Sequence, residues 1–137
     1  MLDRQKLFDL VSEKLIAQGR GSFTIVDSNR VSCAYRNTDG LKCAIGHLIP
    51  DELYDPKMEN GTAFSVLNNF PKLKNYIFSE FKSDAFLHNT IQEIEFLDDL
   101  QLVHDSSCSV DTPIWDMTEF KKSLTTFANK YSLTTNF

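Results

Sequence analysis

The chain has 137 residues, about 15.7 kDa, with 42% apolar and 24% charged residues, which fits one globular domain and excludes a disordered or low-complexity segment. A net charge of −5 argues against a broad phosphate-backbone binder, and no run approaches the ~18 apolar residues needed to span a membrane. Eleven Phe, four Tyr and one Trp supply enough large rings for a real core.

The opening MLDRQKLFDLVSEK is amphipathic and charged throughout, unlike an export signal, which points to a cytosolic protein. Within it, Leu7, Phe8, Val11, Leu15 and Ile16 form the stripe of a surface helix over 3–18, ended by Gly19 or Gly21. The period then changes. Phe23 to Val26 are β-formers, Asp27-Ser28-Asn29 is turn-prone, Val31 to Arg36 is a second extended run, and Asn37-Thr38-Asp39-Gly40 is a tight-turn signal. A short apolar helix over Cys43 to Ile49 must stop before Pro50, and Asp51 to Asn60 reads as an acidic, turn-rich connection.

Thr62 caps a short helix to Phe70, and Pro71 suits the first turn of the next one, which carries Leu73, Tyr76, Ile77 and Phe81. Thr90-Ile91-Gln92-Glu93 is a capping box opening a helix with Ile91, Ile94, Leu97, Leu100 and His104 at helical spacing. Its Glu93/Glu95 and Asp98-Asp99 read as a solvent-facing side. Cys108 to Pro113 is a loop. Asp116 caps a helix with a Phe120, Leu124, Phe127, Tyr131 stripe, which Trp115 is expected to staple onto the first helix; Thr134 to Phe137 are expected to fray. The fold class that follows is α+β: a mainly helical single domain, 1–137, of five or six helices, with one small antiparallel β-hairpin or meander near residues 22–43.

Three residue groups could carry chemistry. The first is Tyr35, Arg36 and Lys42 beside the start of the Cys43 helix, where free N–H groups and positive potential would receive an anion and Tyr35 could stack on a base. The plainer alternative has Tyr35 packing, Arg36 pairing with a carboxylate and Asp39-Gly40 only turning the chain.

The second group comprises Cys43-x3-His47 and His104-x3-Cys108, whose i, i+4 spacing could converge on one metal, with Cys33 as a spare donor. Neither is a close-set knuckle, and buried cysteine commonly acts as a small apolar group, so the expectation is no bound metal and no cofactor. The third makes Cys43 a nucleophile at a helix start beside Lys42, with His104 as its base. Asp105 is a poor orienter in this scheme, because neighbours on a helix point about 100° apart. An odd count of three cysteines without an export signal favours reduced thiols over a disulfide framework. The acidic Asp51–Glu59 stretch lacks the alternating ligands of a calcium loop, and no nucleotide, dinucleotide, serine-hydrolase or zincin signature occurs.

One segment carries a resemblance: Cys33, Tyr35, Arg36, Asp39, Gly40, Lys42, Cys43, Ala44, Gly46, then Leu48-Ile49-Pro50-Asp51-Glu52, Tyr54 and Asp55, with Leu100-Gln101, His104-Asp105, Trp115 and Phe127-Ala128-Asn129-Lys130-Tyr131 in similar order later. It resembles small tailed-phage and prophage proteins. The resemblance implies a virus-borne protein working in a bacterial cytoplasm and carries over no chemistry. The resulting expectation is a non-enzymatic binding protein, a counter-defence factor that blocks a host protein or sequesters a small anionic, nucleotide-like signal through Tyr35, Arg36 and Lys42. A homo-oligomer is compatible with this. The rivals are a hydrolase using Cys43 and His104, and a zinc-stabilised module. If Arg36 is instead a structural ion-pair residue, the working surface is expected on the acidic helix face around Glu95, Asp98 and Asp99.

Overall fold

A computed structural model describes residues 2–27, 30–83, 90–107 and 115–137. Among these, five α-helices, α1 (Arg4–Gln18), α2 (Ala63–Asn69), α3 (Pro71–Glu80), α4 (Thr90–Asp105) and α5 (Met117–Lys130), accompany one antiparallel pair, β1 (Phe23–Asp27) and β2 (Arg30–Cys33). This is the mainly helical α+β architecture read from the periodicities. No helix among the described residues is long and apolar enough to cross a membrane.

Local chemistry fixes the ends. Asp3 accepts the Lys6 N–H at the start of α1, and Gly19 closes it in the left-handed region. Thr62 and Asp116 cap α2 and α5 through the N–H groups of Ser65 and of Thr118 and Glu119. In the pair, Phe23 faces Cys33 and Thr24 faces Ser32, with an irregularity between Ile25 and Asp27. Past β2 the chain makes a second, single antiparallel bridge, Arg36 to Lys42. Its turn is held by Asn37 Oδ1, which accepts the N–H groups of Asp39 (3.0 Å) and Leu41 (2.9 Å), with Gly40 at φ 81°.

Rings knit the core. Phe8 of α1 stacks on Phe127 of α5 at 5.6 Å, and Phe96 of α4 lies 5.3 Å from Phe127. The α1–α5 contact thus runs through Phe127. Trp115 packs instead on Phe120 (4.4 Å), His104 (5.5 Å) and Phe23 (6.4 Å), fastening α5 to α4 and β1.

Four local expectations change. The apolar run after Cys43 is a 3-10 turn, Ile45–Leu48, packed so closely that a Cβ on Gly46 would lie 2.2 Å from the Tyr35 carbonyl oxygen. Glu93 is fully buried and does not close a capping box, because it is taken by Leu2 N–H and Arg4 from across the fold. Asp98 and Asp99 are half-buried rather than freely solvated, held by groups on α2 and α5. The chain end does not fray at Thr134: its N–H donates to Gln5 Oε1 (2.9 Å) and its carbonyl accepts Gln5 Nε2 (3.0 Å). Cys108 and the loop to Pro113 lie outside the described residues.

Candidate functional site

Glu59 organises the segment that holds Tyr35 and Arg36. Its carboxylate accepts the backbone N–H of Tyr35 (2.9 Å) and of Arg36 (3.2 Å) and the Tyr54 hydroxyl (2.5 Å). Tyr35 is buried, and its hydroxyl donates to the Gly61 carbonyl at 2.6 Å. Burial, with acidic neighbours including Cys43 and Asp105, raises its hydroxyl pKa. Arg36 follows the bend at Tyr35 and reaches other partners. Its Nη2 donates to the Ile49 carbonyl (2.8 Å), its Nη1 pairs with Asp51 (2.8 Å), and its guanidinium carbon lies 4.5 Å from the Tyr54 ring centroid. Lys42 is pinned through its backbone: its N–H donates to Gln18 Oε1 (3.0 Å) and its carbonyl accepts Gln18 Nε2 (2.9 Å). Tyr35 therefore faces one side of this segment and Arg36 the other.

The cysteine and histidine side chains are also placed by packing. Cys43 is buried, and its sulfur accepts the Gly46 N–H at 3.3 Å. Burial pushes its thiol up to about 12, so it stays protonated near neutral pH, the opposite of an activated nucleophile. His104 is fully buried. Its Nε2 accepts the Ser22 N–H at 2.9 Å, which places the ring proton on Nδ1, and Nδ1 donates to Asp105 Oδ1 at 2.9 Å. Asp105 thus does orient His104, although sequence neighbours on an ideal helix diverge, because a carboxylate on the last turn can swing back to the ring beside it. Both ring nitrogens are occupied, leaving no lone pair for a base or a metal ligand.

Among the described residues, one group of three potential metal donors converges, Cys33, His104 and Asp105, with donor atoms within 4.8 Å of one another. It contains neither Cys43 nor His47, and Cys108 lies outside the described residues. The Ser22 hydrogen bond works against this group too. A metal on Nδ1 would move the ring proton to Nε2, facing the Ser22 N–H donor, and the three donors are one short of a closed tetrahedral site.

Beside this cluster opens a cleft of about 530 Å³. The end of β2 and the following Ala34-Tyr35 form one wall, residues 60–63 leading into α2 a second, and α4 the third, with Cys43 among the lining residues. Among the described residues three carboxylates line it, Asp98, Asp99 and Asp105, with the carboxamides of Asn60 and Gln101, and no lysine or arginine does. Burial pushes Asp98 up, although the Phe64 and Ala63 N–H groups at the start of α2 bond to it. Burial acts the same way on Asp99, but hydrogen bonds from Lys130 (2.7 Å) and the Tyr131 hydroxyl outweigh it and hold Asp99 below the usual carboxylate range. Gln101 bridges the site, accepting the Ile45 N–H (2.9 Å) and donating to Asp105 (2.9 Å).

Of the residues singled out in the sequence, Cys33, Tyr35, Cys43, Asp98, Asp99 and Asp105 line the cleft, while Arg36 and Lys42 do not. Sequence reasoning missed Asn60 and Gln101 as lining groups. Gln101 carried one usable signal, a polar residue on the apolar face of an otherwise regular helix; Asn60 carried none. No family model, curated protein or solved structure matches the chain.

Proposed function

We propose that this is a non-enzymatic binding protein that acts by covering a partner protein. One observation supports binding over catalysis: the groups a hydrolase would use, Cys43 and His104, are held as a buried neutral thiol and a doubly hydrogen-bonded imidazole, while an open cleft lies beside them. Of the two ways to interfere with a host process, the charge of that cleft favours a protein partner over an anionic signal. An anion would face three carboxylates there. At Arg36 it would have to displace Asp51. The resemblance to phage proteins supplies the setting, a bacterial cytoplasm, in which covering a host protein would serve counter-defence.

The test is a mass-balance titration. The protein is added in rising amounts to a bacterial lysate and its metabolite extract, and both the molecules retained and those converted are quantified. A binder saturates at about one equivalent of retained partner per chain and converts nothing. Substoichiometric protein converting an excess of any metabolite makes it an enzyme, and retention of an anionic metabolite lost in Arg36→Ala restores the sequestration mode.

A further inference from the structure

The outer face of α4 shows how such a partner would be held. Ile94, Leu97, Leu100 and His104 turn inward and are buried, leaving Glu95, Asp98, Asp99, Leu102 and Asp105 on the other side at i, i+3/i+4 spacing. That face is acidic apart from two exposed apolar side chains, Ile91 at its start (63% exposed) and Leu102 nearer its end (60% exposed). Leu102 is a ridge between two depressions: it lines the cleft on one side and, with Asp99, a smaller groove of about 230 Å³ between α4 and α5 on the other. Across the cleft, Phe64 follows the lining residue Ala63 and is 52% exposed. A solitary exposed leucine needs no explanation, but one flanked by two grooves and ringed by carboxylates has the make-up of an interface centre with a charged rim.

Resting on the binding-protein reading, we infer that this face docks a basic segment of a partner protein, whose apolar side chains pack on Leu102 and into the cleft while its lysines or arginines meet Glu95, Asp98, Asp99 and Asp105. Charge complementarity favours this occupant. Lys130, paired with Asp99, is the cation that an incoming lysine or arginine would replace or sit beside, and the net charge of −5 steers basic partners toward the molecule from a distance.

The probes are two fluorescein-labelled, helix-forming peptides of equal length, one with leucines flanked by lysines and a twin with glutamate for each lysine, read by fluorescence anisotropy. The variants are Leu102→Ser, Glu95→Lys and, as a control for net charge alone, Glu13→Lys on the exposed side of α1. All three replace exposed side chains, and circular dichroism checks the fold. The expected result is binding of the basic peptide only, weakened about tenfold or more by Leu102→Ser and by Glu95→Lys, and changed less than about twofold by Glu13→Lys. The inference is overturned if the basic peptide does not bind, if both peptides bind alike, if Leu102→Ser has no effect, or if Glu13→Lys weakens binding as much as Glu95→Lys. Displacement by spermidine that ignores Leu102 would make a small polycation the occupant, and a Leu102-dependent dimer in sedimentation would make it a second copy; either overturns the inference. Failure of the peptide arms with one-equivalent retention intact in the lysate titration removes this surface and leaves the binding reading standing. Turnover in that titration removes the reading itself.

Discussion

His104 Nε2 accepts the backbone N–H of Ser22 at 2.9 Å, so a buried imidazole on α4 satisfies a buried amide just ahead of β1. The bond ties the start of the hairpin to the longest helix, and Phe23 stacks on the same ring at 5.1 Å. A residue with the look of a catalytic base is thereby a fastener between two elements.

Replacing that fastener is expected to be costly. His104→Ala leaves the Ser22 N–H unsatisfied, which costs about 1–3 kcal/mol, with more for the lost ring packing. Urea denaturation measures it. A change below about 0.5 kcal/mol would mean that the amide finds another partner.

Glu93 is expected to be the most sensitive charged residue in the protein. Its Oε2 accepts Leu2 N–H (2.7 Å), and its Oε1 accepts Arg4 Nη2 (2.7 Å) and Nε (3.1 Å), with the Arg4 guanidinium 5.0 Å from the Phe96 ring centroid. Glu93→Ala removes one half of a desolvated pair and should destabilise by about 3–5 kcal/mol, releasing residues 2–4 to proteolysis. A stable variant with an intact, protease-resistant amino end would contradict this packing.

His47 gives the fold a pH dependence of defined sign. Burial, with Lys42, His104 and Lys14 nearby, holds it at about 4, against 6.5 for an unperturbed imidazole. Between those values the unfolded chain binds a proton that the folded protein does not, so stability falls as pH drops from about 6.5 to about 4. Above that window His47 is neutral in both states and contributes no slope. Carboxylates titrate in the same range, so the measurement is a difference: urea midpoints of the wild type minus those of His47→Gln, across the window. The difference should shift against the wild type as pH falls, and a flat difference would mean that His47 is solvated.

Four of the five helices among the described residues were legible from a local cause, since Asp3, Thr62 and Asp116 cap, Gly19 stops, and Pro71 begins a helix whatever surrounds it; α4 was legible from its apolar spacing. The hairpin was legible in a change of period, and the Arg36–Lys42 bridge beyond it in the Asn37–Gly40 turn. The plainer account of Tyr35 and Arg36, packing and pairing, describes their contacts. What was not legible depends on partners far along the chain. Glu93 reads as a capping residue until Leu2 and Arg4 fold onto it across some 90 positions. Asp98 reads as solvated until the start of α2 delivers its N–H groups, and Cys33 becomes a neighbour of His104 only when β2 is laid against α4. Spacing within one helix carries no information about such meetings.

The account rests on Cys43 being an inert, buried thiol, and its reactivity is the most direct test. Native protein is treated with iodoacetamide over a pH series, and each cysteine's modification is followed by peptide mass mapping. With burial holding the thiol up to about 12, Cys43 should stay unmodified through pH 9 and become modified only when the chain is unfolded. Rapid modification of Cys43 in the folded protein, with a half-point near or below pH 7, would reveal an activated thiolate and contradict the non-enzymatic reading.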